Sequence, residues 1–286
     1  MIQIFIAGVL WGTIGIFVKG LNSLGADAAL TSFLRMFSAF VVMLSAGVFM
    51  HGRKVVIRDI KALIFCALLG LVSNGMFNVF YTSSIRINGM GIASVLLYTA
   101  PVFTAAASWL IFHERFTPLK IFALIVNIAG CVLTVTGGQF SGNGSISLAG
   151  ILAGLGSGFG YGMAAVFGRL AGERTDEVSM SVWSYFFALL FLLVFMRPDV
   201  SVAVHNPKIL GLGFLYGLIP TALAYLVYYI GLKKVEDTGR VPVIASIEPV
   251  TAVLIGMLIY NEEMGTANFI GVAVVLLSII IMVKAK

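Results

Sequence analysis

Glu248-Pro249 stands inside "IASIEPVTAVLIGMLIYNEE" (244–263), an otherwise apolar run. A carboxylate in lipid must be protonated, paired or wetted by a cavity. A proline there lacks the backbone N–H and crowds the carbonyl four residues back, so that a freed carbonyl could face a cavity. Three chemistries suit the acid: accepting from backbone N–H groups beside the helix break, exchanging a proton, or meeting a cationic solute. Arg35 is the one basic residue well inside an apolar run. It could snorkel to the headgroups, bridge helices, pair with Glu248 or hold a solute's carboxylate. Glu248 lies roughly 12 Å from one side and Arg35 about 11 Å from the other, within a core of about 30 Å. Long side chains could bridge that difference in depth.

Polar and aromatic residues accompany this pair. Ser73, Asn74, Phe77, Asn78 and Tyr81 recur at one- and four-residue steps and so share one helix face. Asparagines against lipid are costly, so the face is expected to look inward. Ser94 and Tyr98 are four apart in the next run, and Thr221, Tyr225, Tyr228 and Tyr229 cluster in a later one. With Trp11, Tyr161 and Ser246 they make candidates for an aromatic, polar and largely uncharged cavity. It could stack an organic solute or hold a cation over ring faces. The same groups could instead only bond helix to helix.

An intramembrane enzyme would need a Ser–His pair, paired aspartates or a metal cluster within the apolar runs. Every aspartate (27, 59, 176, 199, 237) and every histidine (51, 113, 205) falls in a connection, and the histidines are expected to be solvated. No catalytic residue, metal site or cofactor is expected. Glu114, Glu262 and Glu263 stand at run ends and read as helix-terminal or gating contacts. Cys66 and Cys131 read as small buried hydrophobes.

These residues need elements to position them. The 286-residue chain is 60% hydrophobic and 10% charged, with a mean hydropathy of +1.06, whereas soluble domains average about 45–50% apolar and about 25% charged. Ten runs are long enough to span a bilayer: 2–20, 28–50, 61–84, 89–112, 119–138, 147–169, 179–196, 208–232, 240–260 and 265–283. The first lacks a basic flank and a cleavage pattern, so it reads as a span and not as a signal peptide. The linker 137–147 is rich in Gly and Ser and carries an Asn143-Gly144-Ser145 sequon. Thirteen Lys and Arg fall on the side of both termini and four on the other, which predicts cytoplasmic termini. The net charge of +6 is thereby absorbed by membrane orientation, and no nucleic-acid partner is expected.

The chain also repeats itself. At an offset of 148, Pro101 meets Pro249, Glu114 meets Glu262, Tyr81 meets Tyr229, Arg86 meets Lys234 and Ser73 meets Thr221. Five spans per repeat is odd, so the second half is inverted relative to the first, as in many secondary transporters. The fold class is all-α: a polytopic membrane protein of ten transmembrane helices in two inverted-topology repeats. Pro101 and Pro249 mark matched helix breaks, and Pro220 and Pro242 also lie within spans. The sixth span carries Gly150, Gly154, Gly158 and Gly162 at four-residue spacing, and the first carries Gly8 and Gly12. Such small-residue faces let helices approach closely. "GLGSGFGYG" follows no strand and does not fit GxGxxG, which excludes a phosphate loop.

"PVFTAAASWLIFHE", "PVTAVLIGMLIYNE" and "LWGTIGIFVK" (10–19) together resemble the drug/metabolite transporter superfamily, in its ten-helix branch with two EamA domains. The domains are expected over 1–140 and 147–286. The resemblance implies a carrier of small organic solutes in the cell membrane. Its central cavity would lie between spans one, three, four, six, eight and nine, with five and ten peripheral. It also implies a structural role for Glu248, since second halves of this type often read Glu-Pro here. One departure is Phe159-Gly160 where the offset aligns Trp11-Gly12. Export or exchange of an amino acid or related metabolite is expected, with an organic-cation carrier as the alternative. Protons are a candidate coupling ion, and both a monomer and a homodimer remain open.

Overall fold

The computed structural model describes residues 1–115, 117–139 and 147–285; the sequon at 143–145 lies outside them, as does the side chain of His51. Ten helices are long and apolar enough to cross a membrane: α1 (Ile2–Ser23), α2 (Ala28–Met50), α3 (Ile60–Asn88), α4 (Met90–Phe112), α5 (Pro118–Thr136), α6 (Leu148–Gly172), α7 (Glu177–Phe195), α8 (Pro207–Leu232), α9 (Thr238–Tyr260) and α10 (Thr266–Lys284). The described residues contain no strand. Connections are short, and polar side chains at their ends begin the next helix. Asp27 accepts from the Leu30 N–H, Asp176 from those of Val178 and Ser179, and Asn206 from that of Lys208. Asp59 accepts from the Lys61 N–H, and Arg174 stands 3.2 Å away; both hold its carboxyl below the usual range. His113 and His205 are exposed at helix ends.

The two halves are inverted repeats of five helices. Within each half the third helix widens to a π-helical turn, Leu69–Met76 in α3 and Leu218–Leu223 in α8. The fourth helix of each half breaks, α4 at residues 98–99 and α9 at Ser246. Both of these helices end on a left-handed residue, His113 (φ 58°) and Asn261 (φ 51°), and each position pairs at an offset of 148. In a π-turn the hydrogen bond reaches one residue further, so side chains rotate around the helix. The single polar face expected for α3 is therefore divided. Ser73 and Asn74 are buried, and Asn74 Nδ2 donates to the Leu69 carbonyl five residues back. Phe77, Asn78 and Tyr81 stay partly exposed.

The prolines behave differently from expectation in one respect. Pro101 and Pro249 each sit in the first turn after a break, where a missing N–H costs least. The carbonyls around the breaks do not open to a cavity. They press on glycines of the neighbouring repeat: those of Ala245 and Glu248 on Gly8 and Gly12 of α1, those of Leu96 and Leu97 on Gly158 and that of Ala100 on Gly162 of α6. A Cβ on Gly162 would stand 2.5 Å from the Ala100 oxygen, so only glycine admits this approach. The pairing also corrects the alignment of α6. Its glycines match those of α1 at an offset of 150, which sets Trp11-Gly12 against Tyr161-Gly162 and removes the apparent departure at Phe159-Gly160.

Helices α5 and α10 pack along each other at the edge. Gly130 meets the Val275 backbone, Gly271 meets that of Leu133 and Thr134, and Asn268 donates to the Thr134 carbonyl at 2.9 Å.

Candidate functional site

The breaks of α4 and α9 face one another across the middle of the molecule. Between them lies a cavity of about 10 Å³, lined by Tyr98, Ala100, Pro101, Asn127, Tyr161, Pro242, Ser246, Glu248 and Pro249. That is room for about one water. Glu248 enters in the first turn of the helix following the α9 break, where a helix N-terminus favours an anion. Tyr161 of α6 donates to its Oε2 at 2.5 Å. Among the described residues this phenol is the hydrogen-bond partner of Glu248, and no backbone N–H bonds it.

Aromatic rings close the chamber on the α1 and α8 side. Trp11 packs on Tyr225 (5.0 Å between centroids), Tyr228 (5.1 Å) and Tyr161 (6.3 Å), and its Nε1 has no partner among the described residues. Phe77 continues the row, 5.7 Å from Tyr161 and stacked on Tyr81 at 5.9 Å. Tyr81 and Ser94 share a hydrogen bond at 3.2 Å, and Asn78 donates to the Asn74 carbonyl. Tyr229 departs from its expected place. It is fully buried in the core against Tyr225 and Tyr228, while Tyr228 takes the position beside Trp11.

Arg35 is buried at 6% exposure without an ion-pair partner among the described residues. Its Nε donates to Thr221 Oγ1 at 3.0 Å, within the π-turn of α8, and its guanidinium lies over the Tyr216 ring at 5.5 Å. Snorkelling and direct pairing with Glu248 are both excluded by this geometry. Glu248 is nonetheless one of the charges that act on Arg35, and Tyr225 is another neighbour. Glu248 thus lines the chamber, while Arg35 lies outside its lining, on Thr221 and Tyr216, and the two do not touch.

Asn127 is absent from the candidates that the sequence offers. It reaches from the edge helix α5 to donate to Ser246 at 2.6 Å and Ser278 at 2.9 Å, pinning the α9 break. A lone amide in a lipid-edge span is the signal that could have found it. Ser246 in turn donates to the Val243 carbonyl. Among the described residues no His, Cys, Asp or Glu group of metal-binding size assembles.

Comparison with known proteins gives a consistent picture. The sequence profile described as "EamA-like transporter family" matches residues 1–136 and again 148–284. An uncharacterized transporter of Archaeoglobus fulgidus is 28% identical, covering 97% of this chain and 94% of that protein. The uncharacterized transporter YwfM of Bacillus subtilis is 22% identical over 99% of this chain and 93% of that protein. The inner membrane transporter YicL of Salmonella typhimurium is 23% identical over 98% and 94%. One crystal structure, 18% identical, superposes with a TM-score of 0.80 over 99% of this chain and 96% of the other, a likeness of fold.

Proposed function

This chain belongs to the EamA-like transporter family, and from that premise we propose that it exports or exchanges a small zwitterionic solute, an amino acid or related metabolite, by alternating access through the chamber between the α4 and α9 breaks. One observation carries the reading: Glu248 lines the chamber and Arg35 is buried on Thr221, two opposite charges in the membrane core that do not pair. A zwitterion offers each the partner it lacks, an ammonium for Glu248 and a carboxylate for Arg35. The cavity is smaller than any amino acid, so Phe77, Asn78, Tyr81 and Tyr98, all partly exposed, must part to admit one. Glu248 is also the group placed to exchange a proton with the solute, with Tyr161 as its donor when ionised. The bias of Lys and Arg supports a cell-membrane orientation with both termini cytoplasmic.

The three rings around Trp11 favour a second reading, an organic cation held by ring faces with Glu248 as counter-charge. Flux in proteoliposomes separates the two. Zwitterionic amino acids should move and choline-type amines should not, and Arg35→Gln should raise the KM for the zwitterion. Transport of amines alone, indifferent to Arg35→Gln, would overturn the first reading. Flux unchanged by an imposed pH gradient would remove the proton.

A further inference from the structure

The ends of α4 and α9 carry two versions of one device, and only one of them is engaged. On the face of the molecule that holds both termini, Glu114 follows the last turn of α4. Its carboxylate accepts from the N–H groups of Thr238 (2.8 Å) and Gly239 (3.1 Å), the first turn of α9. Arg169, in the last turn of α6, donates to Glu114 at 2.5 Å, to Thr238 Oγ1 at 2.7 Å and to the Glu236 carbonyl at 3.2 Å. The Arg169 guanidinium rests 4.1 Å from the centre of the Phe112 ring. Three helices are thereby joined by one carboxylate that is only 10% exposed.

On the opposite face, each part recurs. Glu262 matches Glu114 and Tyr260 matches Phe112 at the offset of 148. Lys19 matches Arg169 at the offset of 150 that aligns α1 with α6. Lys19 pairs with Glu262 and lies 4.2 Å from the centre of the Tyr260 ring. The third element is missing. The repeat mates of Thr238 and Gly239 are Met90 and Gly91, the first residues of α4. Met90 is 67% exposed, and nothing lies within 4 Å of a Cβ placed on Gly91. Lys19 and Glu262 are themselves about half exposed. The helices below follow suit. Thr104 in α4 is fully buried and donates to the Gly162 carbonyl at 2.7 Å, whereas its repeat mate Ala252 in α9 is exposed.

We infer that Glu114 with Arg169 and Glu262 with Lys19 are the two gates of the transport path, closed in turn. In the state seen here Glu114 caps α9 and shuts the termini face, while Glu262 is released. When the path reverses, Glu262 caps the free N–H groups at the start of α4, and Glu114 lets go of α9. The cap explains why a carboxylate, and not a second cation, stands at both places: it must accept backbone N–H bonds as well as hold the cation. This inference rests on the alternating-access part of the reading above and on no particular solute.

Its test therefore needs no solute. In full-length protein with Cys66→Ala and Cys131→Ala, single reporters Thr104→Cys and Ala252→Cys are labelled with a membrane-impermeant maleimide in vesicles of each orientation. With both gates intact, Ala252→Cys labels from the face opposite the termini and Thr104→Cys from neither. Glu114→Gln should speed labelling of Thr104→Cys from the termini face by roughly tenfold or more, since it weakens charge-assisted bonds to three donors, and should slow that of Ala252→Cys. Glu262→Gln should leave Thr104→Cys unlabelled. Exchange of charges, Glu114→Arg with Arg169→Glu, should stay open, because arginine accepts no N–H bond. If Glu114→Gln does not reach the membrane, Arg169→Gln cuts the same contact from its other partner and is read with the same reporters. Thr104→Cys remaining closed in the variant that does reach the membrane would overturn the inference. So would closure restored by the exchange, which would mark a plain ion pair. Labelling that responds as expected while no solute is carried would leave the gates standing and sink the transport reading instead.

Discussion

The break in α4 and the break in α9 have the same construction and different occupants. Each has a proline in the turn that follows, and each lays its carbonyls on two glycines four residues apart in the other half. At the α9 break stand Ser246 and Glu248; their mates at the α4 break are Tyr98 and Ala100. Asn127 holds Ser246, while its own mate in α10 is Val275. The backbone device has been kept twice, and the charge and its hydrogen bonds occur once. Duplication therefore accounts for the shape that lets the path rock, and departure from duplication marks where a solute or a proton is handled.

The largest effect should come from the shared part. Leucine at Gly12 or Gly162 would drive a side chain into the backbone of the opposing break, where the nearest carbonyl oxygens stand 2.9 and 2.5 Å from the position a Cβ would take. Overpacking against backbone costs about 1–3 kcal/mol or more, and both variants should fail to give folded protein by membrane yield and thermal unfolding. Gly15→Ala, with nothing within 4 Å, should fold normally. Full yield from either leucine variant would dissolve the claim that the two breaks are built alike.

Next comes the unshared charge. Glu248→Gln keeps the shape and removes the carboxylate that Tyr161 bonds. Flux of the carried solute should fall roughly 10- to 100-fold, the range set by about 1.5–3 kcal/mol for a hydrogen bond to a charged group. Adding Ala100→Glu should not restore it, because the Tyr161 bond and the Asn127–Ser246 contact are built at the α9 break. Recovery in the double variant would show the two breaks to be interchangeable and the asymmetry without consequence. Asn127→Ala should cost about 1–3 kcal/mol in unfolding free energy, the range for stranding a buried partner, here Ser246 and Ser278. Val275→Ala at the mirror position removes only apolar contact and should leave the α9 break unaltered.

Much of the likeness between the two breaks is legible in the sequence, and the reasons it stops are local. Hydropathy sets the ten spans because lipid leaves the backbone no other partner than its own helix. The offset of 148 locates both breaks and both gate glutamates. It fails in α6 because Gly154, Gly156, Gly158, Gly160 and Gly162 recur at every second position, so any even register sets a glycine against Gly12. Only the packing of Gly158 on the Leu96 and Leu97 carbonyls and of Gly162 on that of Ala100 chooses the register. The π-turns are hidden for a different reason: nothing in "LGLVSNGM" departs from an α-helical pattern, and the turn shows only in the backbone of residues 69–76. For Arg35, spacing gives the depth but not the partner, since depth does not tell which side of a helix faces which neighbour.

The smallest effect belongs to a lock found at one end only. Lys120 and Arg240 both pair with Asp237, next to the engaged gate. The mate of Asp237 is Gly89, so the opposite face has no such carboxylate. Burial pushes the Asp237 carboxyl upward, and the bonds from Lys120 and Arg240 outweigh it, leaving it below its usual value. A group whose folded value is lowered stabilises above its unfolded value, near 4, and loses that contribution as the pH falls through the folded one. Between pH 5 and 8 the lock should be constant, contributing about 1 kcal/mol or less, as partly solvated pairs do. Asp237→Asn should speed labelling of Thr104→Cys from the termini face only slightly at neutral pH, and should remove part of the fall in thermal stability expected of the parent protein below about pH 4. A variant with the parent's full acid response would mean that another carboxylate governs that limb and that the lock at Asp237 does not.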